Sequence, residues 1–105
     1  MEDTGHSFGA YFKRATSPIV VLAILRERPM YVYELAAAMK ERSAGKFTIS
    51  VLYPVLYRLE SQGYVEIQNT EIVEGRARRH LAQCLREYDE MTKVFDELVK
   101  KGTAQ

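Results

Sequence analysis

The chain has no tryptophan, one cysteine, three prolines and almost no net charge, formally +1 over 105 residues. Each shortage excludes something. Cys84 alone cannot form a disulfide within the chain, which makes the reducing cytoplasm the fitting compartment. The longest apolar run, Ile19 to Leu25, is too short to span a bilayer, and Met1 to Ala10 lacks the basic and apolar regions of a secretory signal, so no membrane partner is expected. A net charge of +1 gives no bulk warrant for nucleic-acid binding, so any such role must rest on where the charge is concentrated. The rest of the composition is ordinary, 47% apolar and 28% charged, and suits one domain with a single modest core.

The chain is organised around Ile49 to Ile67. Leu52, Val55, Leu56 and Leu59 recur at three- and four-residue spacing, which lines one side of a helix and leaves Ser50, Tyr53, Tyr57, Arg58 and Ser61 on the other. Pro54 has to lie in or next to the first turn, because it lacks an N–H, and this places the start near Ser50, a good N-cap. Gly63 supplies the stop, since a left-handed cap is cheapest for glycine. Beyond it the period changes to two, with Val65 and Ile67 pointing one way and Tyr64, Glu66 and Gln68 the other.

Upstream, residues 1–9 read as a flexible arm. Phe8, Tyr11 and Phe12 are aromatics that should dock on the body or on a partner subunit. Ser17-Pro18 is a helix start, giving a first helix from about Pro18 to Arg26 that ends before Pro29. Tyr31 to Arg42 is a second amphipathic helix with Val32, Leu35, Ala36 and Met39 on one face. Downstream, the polar stretch Asn69 to Gly75 reads as a hairpin connection, and Ala77 to Ala82 as the return strand, with an upstream extension of the last helix as the competing reading. Between Gly75 and Arg86 stand four arginines and no acid. Leu81, Leu85, Tyr88, Met91, Phe95 and Leu98 then mark a last helix to about Lys101.

Three helices, a hairpin with a basic turn and a final helix describe a mainly α fold with a small β-hairpin: a winged helix-turn-helix over residues 10–83 plus a C-terminal dimerisation helix over 84–101. Such a chain would read double-stranded DNA. A three-helix body of this size is nearly filled by its own helices, so Leu85, Tyr88, Met91, Phe95 and Leu98 are expected at a homodimer interface. Burying such side chains contributes ~1.5–3 kcal/mol each, and a two-fold partner would double the contacts on a palindromic site. Two other classes compete. His80 and Cys84, four apart, would share a helix face as a metal or thiolate–imidazole pair, but a stable metal site needs three or four ligands and His6 is a poor third; no metal, cofactor or catalytic group is expected. The third reading is a dimerising winged-helix adaptor that does not bind DNA.

Three segments carry a resemblance: Arg28 to Leu35 (Arg-Pro-Met-Tyr-Val-Tyr-Glu-Leu), Leu52 to Gly63 (Leu-Tyr-Pro-Val-Leu-Tyr-Arg-Leu-Glu-Ser-Gln-Gly) and Glu74 to Arg79 (Glu-Gly-Arg-Ala-Arg-Arg). Over about residues 13 to 100 the chain resembles the PadR family of transcriptional regulators. The resemblance implies a homodimeric winged-helix repressor that dimerises through its last helix and is released from a palindromic operator by a small planar aromatic ligand. Val51 stands where the family usually has threonine, Val32 where it has glycine, and His80-Leu-Ala-Gln-Cys-Leu-Arg replaces an aromatic strand and a Leu-Thr-x-x-Gly run.

By their match to family positions and expected exposure, Ser50, Tyr53, Tyr57 and Arg58 are the DNA contacts of the recognition helix, and Lys46 meets a phosphate just before it. Arg76, Arg78 and Arg79 would lie on phosphates or reach the minor groove. An effector pocket is expected where aromatics meet at the dimer interface, with Tyr11, Phe12, Tyr88 and Phe95 as walls.

Overall fold

The computed structural model of the chain describes residues 6–48 and 52–100. α1 (Phe8–Leu25) begins at a serine cap, the Ser7 hydroxyl accepting from the Ala10 N–H at 3.1 Å. The helix therefore starts ten residues before the expected Pro18, and Phe8 and Gly9 belong to it and not to an arm; residues 1–5 lie outside the described residues. Pro18 sits inside the helix, where it cannot give an N–H to the carbonyl four residues back. Hydroxyls brace the turn before it: Thr16 donates to the Phe12 carbonyl at 2.7 Å and buried Ser17 to the Lys13 carbonyl at 2.5 Å. By length and composition α1 would suffice to cross a membrane. Its C-terminal half is a core helix instead, with Val21, Leu22, Ile24 and Leu25 all buried.

β1 (Met30–Tyr31) is a two-residue strand that the sequence did not suggest; it leads directly into α2 (Val32–Arg42). The Glu34 carboxylate reaches back to accept the Tyr31 N–H at 2.9 Å, satisfying one of the donors a helix start leaves open. Leu35 and Met39 face the core. At its far end Arg42 makes a two-pronged bridge to Glu27 in the loop after α1, and this guanidinium holds the Glu27 carboxyl below its usual pKa range. Because the folded-state pKa is depressed, the bridge contributes above the ordinary carboxylate range and is lost as pH falls through it.

α3 (Leu52–Ser61) buries Leu52, Val55, Leu56 and Leu59, the four residues its periodicity marks, with Pro54 in the first turn. It ends in a two-bond cap: the Tyr64 N–H donates to the Leu59 carbonyl and the Gly63 N–H to that of Glu60, with Gly63 at φ 81°.

The hairpin differs from the expected one. β2 (Val65–Gln68) turns at Asn69 and Thr70, both in the left-handed region at φ 50° and 70°, and returns at once as β3 (Glu71–Glu74). Ala77 to Ala82 is not a strand. Ile72 supplies the core residue a return strand needs, pairing with Ile67 on one side and with Met30 of β1 on the other, in the sheet order β1-β3-β2. Ala77 and Leu81, four apart, are both buried as the inner stripe of α4 (Arg78–Phe95), which continues as a π-helical turn over Asp96–Lys100. The competing reading of that stretch, an upstream extension of the last helix, is the one the fold adopts.

The core joins all these elements up to Leu81 and then stops. Beyond Leu81, α4 projects from the body, and the molecule measures 54 × 34 × 22 Å with a radius of gyration of 15.5 Å. A compact chain of this length would have about 13 Å. The excess reflects an unaccompanied helix.

Candidate nucleic-acid interface

The outer face of α3 carries Tyr53 and Tyr57, whose rings lie 6.3 Å apart at 37°, and both side chains are exposed. Lys46 is exposed on the loop before the helix, while Ser50, the expected cap and contact, lies outside the described residues. Arg58 points elsewhere: it lines a cavity of about 220 Å³ with Pro18, Ile19, His80 and Cys84, between α1, α3 and α4. Ser61, three residues on, donates to the Arg58 backbone carbonyl at 2.8 Å. Of the residues expected on the recognition helix, the structure thus unites Tyr53 and Tyr57 and separates Arg58 from them.

The arginine cluster is not at the hairpin tip. Arg76 follows β3 at the base of the hairpin, its N–H bonded to the Gly63 carbonyl at 2.9 Å, and its side chain shares a recess with Glu60 and Glu66. Arg78 and Arg79 are exposed in the first turn of α4, which has no acid in that turn and no side-chain cap at Ala77. A helix start already carries partial positive charge, so two cations there cost about 0.3–1 kcal/mol each and form a positive corner. The strands themselves carry Glu66, Glu71 and Glu74.

Two residues that sequence reasoning passed over belong to this face. Tyr31 and Tyr33, at the start of α2, stack in parallel with centroids 5.9 Å apart and a 5° interplanar angle. They face Tyr53 and Tyr57 across a trough of about 400 Å³, closed at one end by Ile67 and Thr70 of the hairpin. The signal was present in Tyr-Val-Tyr at the helix start, where two aromatics flanking one residue cannot both turn to the core.

The apolar residues expected at a dimer interface lie uncovered along α4, from Leu85 at 49% exposed and Tyr88 at 44% to Met91 at 69%, Phe95 at 49% and Leu98 at 75%. Tyr11 and Phe12, the other expected pocket walls, are exposed on α1, and the Arg14 guanidinium sits 4.9 Å over the Tyr11 ring. His80 and Cys84 do meet, Sγ to Nε2 at 3.5 Å, with the His80 ring stacked on Tyr64 at 4.1 Å. Burial first, and then the Glu87 charge, push the Cys84 thiol pKa up, so it stays protonated and is a poor nucleophile or metal ligand. No group of three or more potential ligands occurs among the described residues.

The sequence model of the transcriptional regulator PadR-like family matches residues 21–82, more than half of the chain. The chain belongs to the PadR-like family. Its fold is also that of a solved transcriptional regulator from Clostridium thermocellum, with a TM-score of 0.75 at 21% identity, covering 86% of this chain and 96% of that one. A comparison with curated proteins found no match. As a PadR-like protein the chain is a DNA-binding regulator of transcription and not an enzyme, and His80 and Cys84 are packing side chains, His80 against Tyr64 just before β2 and Cys84 beside the cavity between α1, α3 and α4.

Proposed function

We propose that this PadR-like chain is a cytoplasmic homodimeric repressor that binds a palindromic operator and is released by a planar aromatic ligand. The observation that carries the reading is the uncovered apolar stripe of α4 from Leu85 to Leu98. A second copy of the same helix is the simplest cover for it, and the two-fold axis so created presents two recognition helices to one duplex. Residues 10–83 then read DNA and 84–101 dimerise, with α4 belonging to both because it begins at Arg78. Tyr53 and Tyr57 face base edges, Lys46 on the loop before α3 meets a phosphate, Ser50 is a DNA contact by its match to the family position, and the corner of Arg78 and Arg79 meets phosphates, as does Arg76 at the base of the hairpin. Arg58, which lines the cavity beside α1 and α4, is not one of the contacts. The ligand lies among Tyr11, Phe12, Tyr88 and Phe95 where two protomers meet, and shifts the spacing of the two recognition helices.

Fluorescence anisotropy on duplex DNA from the upstream region of the chain's own gene and on scrambled DNA, at several salt concentrations, tests this reading. Tighter binding to the upstream duplex is expected. Changing Arg76, Arg78 and Arg79 to alanine should weaken binding to both duplexes and make the salt slope shallower by about 0.9 for each arginine that meets a phosphate. Removing the cations at positions 78 and 79 should also raise thermal stability slightly, since they oppose the α4 dipole. Equal binding to both duplexes would count against a sequence-specific operator, and a slope unchanged in the variant would count against the arginine corner; no binding by an intact dimer would favour the adaptor.

A further inference from the structure

The trough between α3 and the hairpin is unlike the rest of this surface. Tyr31, Tyr33, Tyr53 and Tyr57 supply its walls, Ile67 and Thr70 close one end, and none of the described residues lining it is charged. It is continuous with the outer face of α3, so whatever α3 meets, the trough meets too. When a helix enters the major groove and the adjoining hairpin reaches the neighbouring minor groove, the sugar–phosphate ridge that divides the two grooves has to pass between helix and hairpin. The space between them here is this trough.

We propose that the trough seats one sugar–phosphate ridge of the operator and grips it with tyrosine in place of lysine or arginine. The inference rests on the DNA-binding reading and extends it to α2 and to Tyr31 and Tyr33. Tyrosine suits both halves of the ridge. Its ring covers the apolar face of a deoxyribose, and its hydroxyl donates to a phosphate oxygen. Phosphate contacts of this kind fix register and orientation without carrying sequence information. They also neutralise no charge and release no counterion, so their share of the affinity persists at high salt.

The test uses the full chain and a duplex selected by the wild-type protein from a random pool, titrated by anisotropy across a range of salt. Tyr33→Phe and Tyr57→Phe keep the ring and remove the hydroxyl; Tyr33→Ala and Tyr57→Ala remove both. Tyr33 is 71% exposed and Tyr57 59%, so unchanged circular dichroism and melting are expected of all four. The phenylalanine variants should each lose roughly three- to tenfold in affinity, the alanine variants more, and every one should retain the wild-type salt slope. Arg78→Ala should change the slope instead. Tyrosine variants that bind the selected duplex like wild type would overturn the inference while leaving DNA binding intact. So would variants that keep DNA affinity but lose binding of the planar probe 8-anilinonaphthalene-1-sulfonate, which would make the trough a small-molecule site. A wild-type protein that selects no duplex would overturn the DNA-binding reading and the inference with it.

Discussion

Changing Met91 and Phe95 together to aspartate is expected to give a folded monomer that binds operator DNA a hundredfold or more weaker than wild type. Met91, Phe95 and Leu98 lie in the projecting part of α4, beyond Leu81, the last residue of that helix in the core, so the substitutions touch no buried contact within the protomer. The magnitudes make the interface sensitive. Ten half-exposed apolar side chains from two copies supply on the order of 10–15 kcal/mol at ~1.5–3 kcal/mol for full burial of each. Association costs about 4–15 kcal/mol. A surplus that small does not survive two pairs of buried carboxylates, each costing several kcal/mol to desolvate. Once the protomers part, each half-site is bound alone and the roughly 10²–10⁴ gain from linkage disappears. Light scattering after gel filtration reads the first effect and anisotropy the second; circular dichroism should show the helices retained.

Gly75→Ala should be strongly destabilising, for a reason that has nothing to do with φ. A Cβ at Gly75 would stand 2.5 Å from the Gly63 carbonyl oxygen and 3.1 Å from the Tyr64 carbonyl carbon. Those atoms are backbone, and they are pinned. The Gly75 N–H donates to the Tyr64 carbonyl and the Arg76 N–H to the Gly63 carbonyl, both at 2.9 Å, while Gly63 and Tyr64 form the cap that ends α3. Relief of the clash must open the base of the hairpin or unwind the end of α3. A loss of about 1–3 kcal/mol follows from overpacking of this kind, which for a chain of this size lowers the melting temperature by roughly 4–20 °C. Gly9→Ala is the control, since its Cβ meets only the Ser7 hydroxyl at 3.9 Å within a helix. It should be neutral or stabilise by up to ~1 kcal/mol. Equal melting temperatures for the two variants would refute the role assigned to Gly75.

What the sequence made legible was local. The stripe from Leu52 to Leu59 and the stop at Gly63 depend on neighbours within one or two turns, and both stand in the structure as read. The hairpin turn is only half legible, because Asn69 at φ 50° is a common left-handed turn residue whereas Thr70 at φ 70° is β-branched and disfavours that region. Glu71-Ile-Val-Glu shows little period-two pattern, and β1 exists only because Met30 and Tyr31 find Ile72 and Glu71 some forty residues away. Pro18 announced a helix start by its preceding serine, yet packing of Ala10 and Ser17 carries the helix through it. The site was half legible for the same reason. Tyr53 and Tyr57 could be placed on an outer face by periodicity alone, whereas the trough needs α2, α3 and the hairpin assembled before Tyr31 and Tyr33 face them.

Sedimentation of the wild-type protein, alone at micromolar concentration and then on one labelled duplex carrying its selected site, tests most directly whether two copies joined through α4 act as the reading unit. A dimer gives twice the 12.1 kDa chain mass in free solution and two protomers on each duplex. A single 12.1 kDa species at tens of micromolar that saturates the duplex at one protomer would contradict it.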